Sequence, residues 1–152
     1  MKKKKLILEQ LDEKLIPFKK TQHIIVPDKG WIRSIRIALN ITLKQISDKL
    51  NTSKQNINAI EDREVTGAIT LKTLSEVAEA MDMKLVYAIV PKDESLEKLI
   101  EKRANILAKK IVLRTSASMK LEDQENSGTR LEKAIKEKTN EIINELPKYL
   151  WD

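Results

Sequence analysis

No cysteine occurs among the 152 residues, which excludes disulfides, thiolate metal sites and a cysteine nucleophile. Glycine is nearly as scarce, and three in the whole chain are too few to build a glycine-rich phosphate loop. The single histidine, His23, has neither cysteine nor a carboxylate pair beside it, so it completes neither a metal site nor a Ser–His catalytic arrangement. Apolar runs are short, and none approaches the roughly 20 residues that a membrane-spanning helix needs. The opening M-K-K-K-K-L-I-L mimics a secretory signal, but Glu9, Asp12 and Glu13 interrupt it before an apolar stretch develops. These absences predict no catalytic role, no cofactor and no metal, and they are compatible with a reducing, cytoplasmic setting.

Charge is plentiful instead. Lysine and arginine number 29 against 23 aspartate and glutamate, a formal charge of +6, which favours a polyanionic partner without identifying it. The carboxylates lie beside lysines at helical spacing, the pattern of solvated ion pairs. A hydrophobic content of 41% suits one compact domain with extensions.

The stretch from residue 31 to residue 80 is the most informative. Thr42 precedes Leu43, Ile46 and Leu50 at helical spacing, and Gln45 three positions on completes a capping box. Asn51 ends that helix in the left-handed region that Asn tolerates. Thr52 then caps a second helix with Gln55 at the matching offset, and Ile57 and Ile60 form its inward stripe. Two helices therefore meet across a very short turn, a helix-turn-helix. The apolar residues occupy one face of the second helix, leaving Ser53, Lys54, Gln55, Asn58 and Ala59 outward. Gln and Asn can bond adenine edges in two places, Lys favours guanine or phosphate, and Ser bonds a base edge or a backbone oxygen. The expected ligand is double-stranded DNA, contacted by Thr52, Ser53, Lys54, Gln55 and Asn58 and held on its phosphates by Lys44 and Lys72.

Over the same residues the spacing resembles the lambda-repressor-like helix-turn-helix domains of the XRE type. Ile32, Ile35, Arg36 and Leu39 fit the first helix of that pattern and Ile46 and Leu50 the second. Thr52, Ser53, Ile57, Ile60 and Glu61 fit the third, and Leu74, Val77, Ala78 and Met81 the fourth. The chain departs from the family at Leu43, Ser47 and Asn51, where Gln, Ala and Gly are usual, so the phosphate contact of that Gln is not carried over. The resemblance implies an ion pair between Arg36 and Glu61 that fixes helix orientation more than it adds stability. Further matches lie outside the domain: P-D-K-G-W-I-R-S-I-R, D-M-K-L-V-Y-A-I-V-P, L-E-D-Q at 121–124 and the terminal L-W-D. Together they resemble the mobile mystery protein A family over nearly the whole chain. Members of that family are small XRE-type proteins commonly encoded beside a Fic-domain partner in a toxin and antitoxin arrangement. The resemblance implies an antitoxin that represses its own operon. Inhibitors of Fic enzymes carry Ser or Thr, three residues, then Glu followed by Gly or Asn. Ser118 and Glu122 fit and Asp123 departs, while Glu122 also reads as an ordinary loop or cap carboxylate.

The flanks complete an all-α class with one β-strand and a C-terminal helical extension. Three segments follow: 1–28 as a helix and arm, 29–91 as the helix-turn-helix domain with a strand, and 92–152 as the extension. Leu8, Leu11 and Leu15 mark a short helix after the four lysines at 2–5, closed by Pro17. Those lysines either lie along DNA phosphates or form a solvated terminus. Leu85, Val86, Tyr87, Ala88, Ile89 and Val90 form the one convincing strand. A single strand cannot satisfy its own backbone, so it pairs either with the same strand of a second copy or with Ile24, Ile25 and Val26. The first pairing gives a homodimer and a pseudopalindromic operator with half-sites about one helical turn apart. A long amphipathic helix capped by Ser95 is expected to about Leu113, then a loop through Ser116, Ser118 and Gly128. Thr129 and Glu132 open a last helix reaching Pro147. These two helices either cover the core and each other or, with Tyr149 and Trp151, carry a partner-binding surface. In the latter case the chain is chiefly a protein-binding inhibitor, with DNA contact secondary.

Overall fold

The computed structural model describes residues 2–121 and 128–152, the side chains of 118–121 excepted. Its helices are α1 (Lys2–Leu15), α2 (Trp31–Ala38), α3 (Leu43–Lys49), α4 (Lys54–Thr66), α5 (Leu71–Ala80), α6 (Leu96–Leu121) and α7 (Gly128–Glu145). Short 3-10 helices occupy Ile16–Thr21 and Lys148–Trp151. The chain divides into two compact units, His23–Ala88 and the combination of Met1–Gln22 with Ile89–Asp152.

The expected helical class is present, but no strand forms among the described residues. Leu85 to residue 90 forms no regular element and no ladder, and Val86, Tyr87 and Ile89 are exposed, Ile89 to 90%. Ile24, Ile25 and Val26 likewise form no regular element and are exposed, so the alternative pairing within the chain is not made either. The physical reason is the one that applies to any lone strand: without a neighbouring edge its donors and acceptors turn to water. Two helix boundaries also differ from expectation. The first helix starts at Lys2, so the lysine run is helical. The sixth runs to Leu121, because from residue 96 neither proline nor glycine appears to stop it before Gly128.

In the unit His23–Ala88 the four helices enclose Ile32, Ile46, Ile57, Ile60, Val77 and Met81, with Ile35, Leu43, Leu50 and Leu74 packed around them. Each helix ends the same way. Asn40 after α2, Asn51 after α3, Gly67 after α4 and Asp82 after α5 all have positive φ. Beyond each, the next amide bonds back to a carbonyl inside the helix: Ile41 to Arg36 at 2.9 Å, Thr52 to Ser47 at 2.9 Å, Ala68 to Arg63 at 2.9 Å and Met83 to Ala78 at 2.9 Å. These are Schellman closures, and they account for how four short helices turn so sharply in so few residues.

In the second unit α6 and α7 pack through Ile100, Ala104, Ala108 and Ile142, joined by Leu150 from the terminal 3-10 helix and half-buried Leu8 from α1. The alanines let the two helices approach closely. Asp12 of α1 caps α6, accepting from the Leu96 amide at 2.8 Å and the Glu97 amide at 3.2 Å, while Ser95 accepts from Lys98 at 3.1 Å. Leu150 is buried, and Tyr149 and Trp151 beside it stay about half exposed. Among the described residues no helix is long and apolar enough to cross a membrane.

Candidate nucleic-acid interface

The turn between α3 and α4 is set by capping at both ends. Thr42 and Gln45 form the expected box, the Gln45 amide donating to Thr42 Oγ1 at 3.1 Å and the Thr42 amide to Gln45 Oε1 at 2.8 Å. Asn51, at φ 51°, closes α3 as expected. The cap of α4, however, is Ser53 rather than Thr52. Ser53 is extended and its Oγ accepts the Asn56 amide at 3.1 Å, while Asn56 Nδ2 donates to Thr52 Oγ1 at 2.8 Å. The helix therefore begins one residue later than its capping-box offset suggested, because both hydroxyl residues have cap chemistry and the Schellman closure uses the Thr52 amide. Gln55 consequently has no capping duty, and its exposed amide makes no hydrogen bond among the described residues.

Beneath this surface lies an ionic cluster. Glu61 is fully buried and accepts from Arg36 Nε at 2.5 Å, Arg36 Nη2 at 3.2 Å and Arg33 Nε at 2.8 Å. Arg36 also donates to the Ile41 carbonyl at 3.3 Å. The expected Arg36–Glu61 pair is thus present, and Arg33, three residues earlier on the same face, makes it a triad. Burial alone would push the Glu61 carboxyl up, but the hydrogen bonds and charges of Arg36 and Arg33 outweigh it and hold the group below its ordinary value. The Glu61 hydrogen bond in turn raises Arg33. Arg33 Nη2 continues outward to Asn58 Oδ1 at 3.0 Å and lies 3.7 Å from Asp62.

A second carboxylate supports α2. Gly30 offers no capping side chain, so Glu64 of α4 does it, accepting from the Trp31 amide at 2.7 Å and the Ile32 amide at 2.9 Å. A Cβ on Gly30 would sit 2.7 Å from Glu64 Oε2, and φ there is 78°, so glycine is needed on both counts. The sequence carried one hint of this: a Gly before the helix where a capping residue is usual.

The two predicted phosphate contacts, Lys44 and Lys72, and the predicted groove-facing Lys54 all fall at helix beginnings. Lys44 is the second residue of α3, Lys54 the first of α4 and Lys72 the second of α5; all are exposed, and no acidic residue occupies those first turns. Cations at the positive end of a helix oppose its dipole by a few tenths of a kcal/mol each, an arrangement that becomes favourable when an anion docks. Lys44 and Lys54 border one shallow groove with Asn40 and Thr42, whereas Lys72 is not part of it. Lys44 is also paired with Asp48 on its own helix. Of the two C-terminal candidates, Ser118 falls within α6 with its side chain outside the described residues, and Glu122 lies outside them altogether.

A helix-turn-helix family model matches residues 32–87 of the chain. No curated protein and no solved structure matches it. The match covers the four helices around the Arg33, Arg36 and Glu61 cluster, and it supports a DNA-binding regulator of the XRE type.

Proposed function

We propose that this protein is a sequence-specific transcriptional repressor that acts as a dimer and without catalysis, in the cytoplasm. The observation that carries the reading is the start of α4, where Lys54 and Gln55 stand exposed in a first turn free of acidic residues and Gln55 keeps both amide ends unengaged. That is the chemistry of base-edge readout beside a phosphate contact. Exposed Val86, Tyr87 and Ile89 on a ladder-free segment of strand composition support a ribbon between two copies, which would place two α4 helices on successive half-sites of a pseudopalindromic operator.

The antitoxin role belongs to the same proposal. The whole-chain resemblance to mobile mystery protein A supports a Fic-domain partner encoded alongside, with Ser118 and Glu122 as the inhibitory pair and half-exposed Tyr149 and Trp151 as anchors. The DNA part is tested by the salt dependence of binding to DNA from upstream of the protein's own gene. Replacing Lys44, Lys54 and Lys72 by Gln should reduce the magnitude of the log–log salt slope by about one for each phosphate contact removed. An unchanged slope contradicts the assignment of these lysines.

A further inference from the structure

We infer that the unit formed by Met1–Gln22 and Ile89–Asp152 holds a binding site for a small anionic amphiphile, a medium-chain carboxylate, between α1, α6 and α7. The inference does not depend on the DNA-binding reading above.

A cavity of about 270 Å³ opens where these three helices converge. Its apolar wall is made by Leu8 of α1, Ile100 of α6, Ile143 of α7 and Leu146 just beyond it, all of which also belong to the core of this unit. Ile100 is buried and the other three are half-buried. Leu146 has φ 46°, a left-handed conformation that a leucine seldom adopts, so the wall turns there instead of continuing the helix. Asp12 ties α1 to the first amides of α6, which fixes the α1 side of the cavity without help from a ligand. At the ~30 Å³ that a water-sized atom occupies in a liquid, the space suits about nine non-hydrogen atoms.

The edge of the cavity is basic. Lys4 and Lys5 lie four and three residues before Leu8, so the register of α1 sets both beside it, and Lys2 stands within a turn of them. All three are exposed, and none has a hydrogen bond or ion pair among the described residues. Their stems can extend the apolar wall while their ammonium groups stay in water. Glu97 and Glu101 of α6 also border the cavity, but Glu101 already accepts from Lys98 Nζ at 2.7 Å. Three uncommitted ammonium groups therefore meet one uncommitted carboxylate. That surplus beside an apolar wall is complementary to a hydrocarbon chain ending in a carboxylate. The chain covers Leu8, Ile100, Ile143 and Leu146, and the carboxylate meets the lysines. A neutral chain of the same length leaves the lysines unmatched, and a cationic one is repelled by them.

The test is calorimetric titration of the full chain at pH 7 with sodium octanoate, sodium hexanoate, octanol and octylammonium chloride. Wild type is compared with Ile143→Phe and with a triple variant, Lys2→Gln, Lys4→Gln and Lys5→Gln together. Octanoate should bind one to one, about five- to tenfold tighter than octanol, and octylammonium should not displace it. Hexanoate, two methylenes shorter, should bind about tenfold more weakly than octanoate. The triple variant changes only exposed side chains and should reduce octanoate to the affinity of octanol with an unchanged melting temperature. Ile143→Phe fills the cavity and should abolish binding of both; the triple variant carries the test if Ile143→Phe fails to fold. Absence of saturable octanoate binding, equal affinities for octanoate and octanol in wild type, or an octanoate affinity unchanged in the triple variant overturns the inference. Each of these outcomes leaves the DNA reading untouched.

Discussion

At the scale of single residues, Glu61 holds the domain in shape. It is buried between two arginines, and removing it would leave the mostly buried Arg36 and the part-buried Arg33 without their shared carboxylate. Glu61→Gln should cost about 3–5 kcal/mol, read from urea unfolding at neutral pH. The pH dependence has a definite sign. Because the folded carboxyl titrates below its ordinary value of 4.5, its contribution is complete above that value and is lost as pH falls through the lower folded one. The gap between wild type and Glu61→Gln should stay constant from pH 7 to about 5 and close below about 4; a gap unchanged down to pH 3 contradicts the account. Arg36 and Glu61 were legible in the sequence because a family pattern pairs those positions. Arg33 and Glu64 were not, because their partners lie 28 and 32 residues away and ordinary spacing rules on a helix reach only three or four.

At the scale of elements, four helices of the domain share one C-terminal device, and it yields a sharp comparison. Asn51→Ala should destabilise by about 1 kcal/mol because Cβ penalises the left-handed region, whereas Asn51→Gly should be neutral or slightly stabilising. Thermal melts of the two variants check this, and equal effects would mean that the turn relaxes. Gly30→Ala is the counterpart at a helix start, with a cost of about 2 kcal/mol as Glu64 is displaced from the amides of Trp31 and Ile32. Sequence periodicity located α2 to α5 because their stripes and caps are local signals. It erred by one residue at α4, where Thr52 and Ser53 are chemically interchangeable as caps and only the closing of α3 decides between them. It ended α6 too early, since serines and a threonine resemble a loop until nothing is found to break the helix; Thr115 instead bonds back to the Ile111 carbonyl at 3.1 Å. The segment from 85 to 90 has strand composition but no partner within one chain, and composition cannot supply an edge.

At the scale of the whole molecule, charge is distributed in a way that its total conceals. Residues 23–88 hold nine lysines and arginines against eight aspartates and glutamates, so nearly all of the +6 excess belongs to the other unit. The basic balance that suggested a polyanion is therefore not what marks the helix-turn-helix domain. Its signal is placement, with Lys44, Lys54 and Lys72 at helix starts and two of its acids, Glu61 and Glu64, engaged by the arginines and the first amides of α2. The central claim is that α4 reads sequence through Gln55. Its most direct test is fluorescence anisotropy of the full chain on DNA from upstream of its own gene and on scrambled DNA, at two salt concentrations, with wild type and Gln55→Ala. The account predicts a specific, salt-sensitive complex that loses about 1–3 kcal/mol of discrimination in the variant while its binding to scrambled DNA is unchanged. Equal, weak binding of both proteins to both DNAs would contradict it.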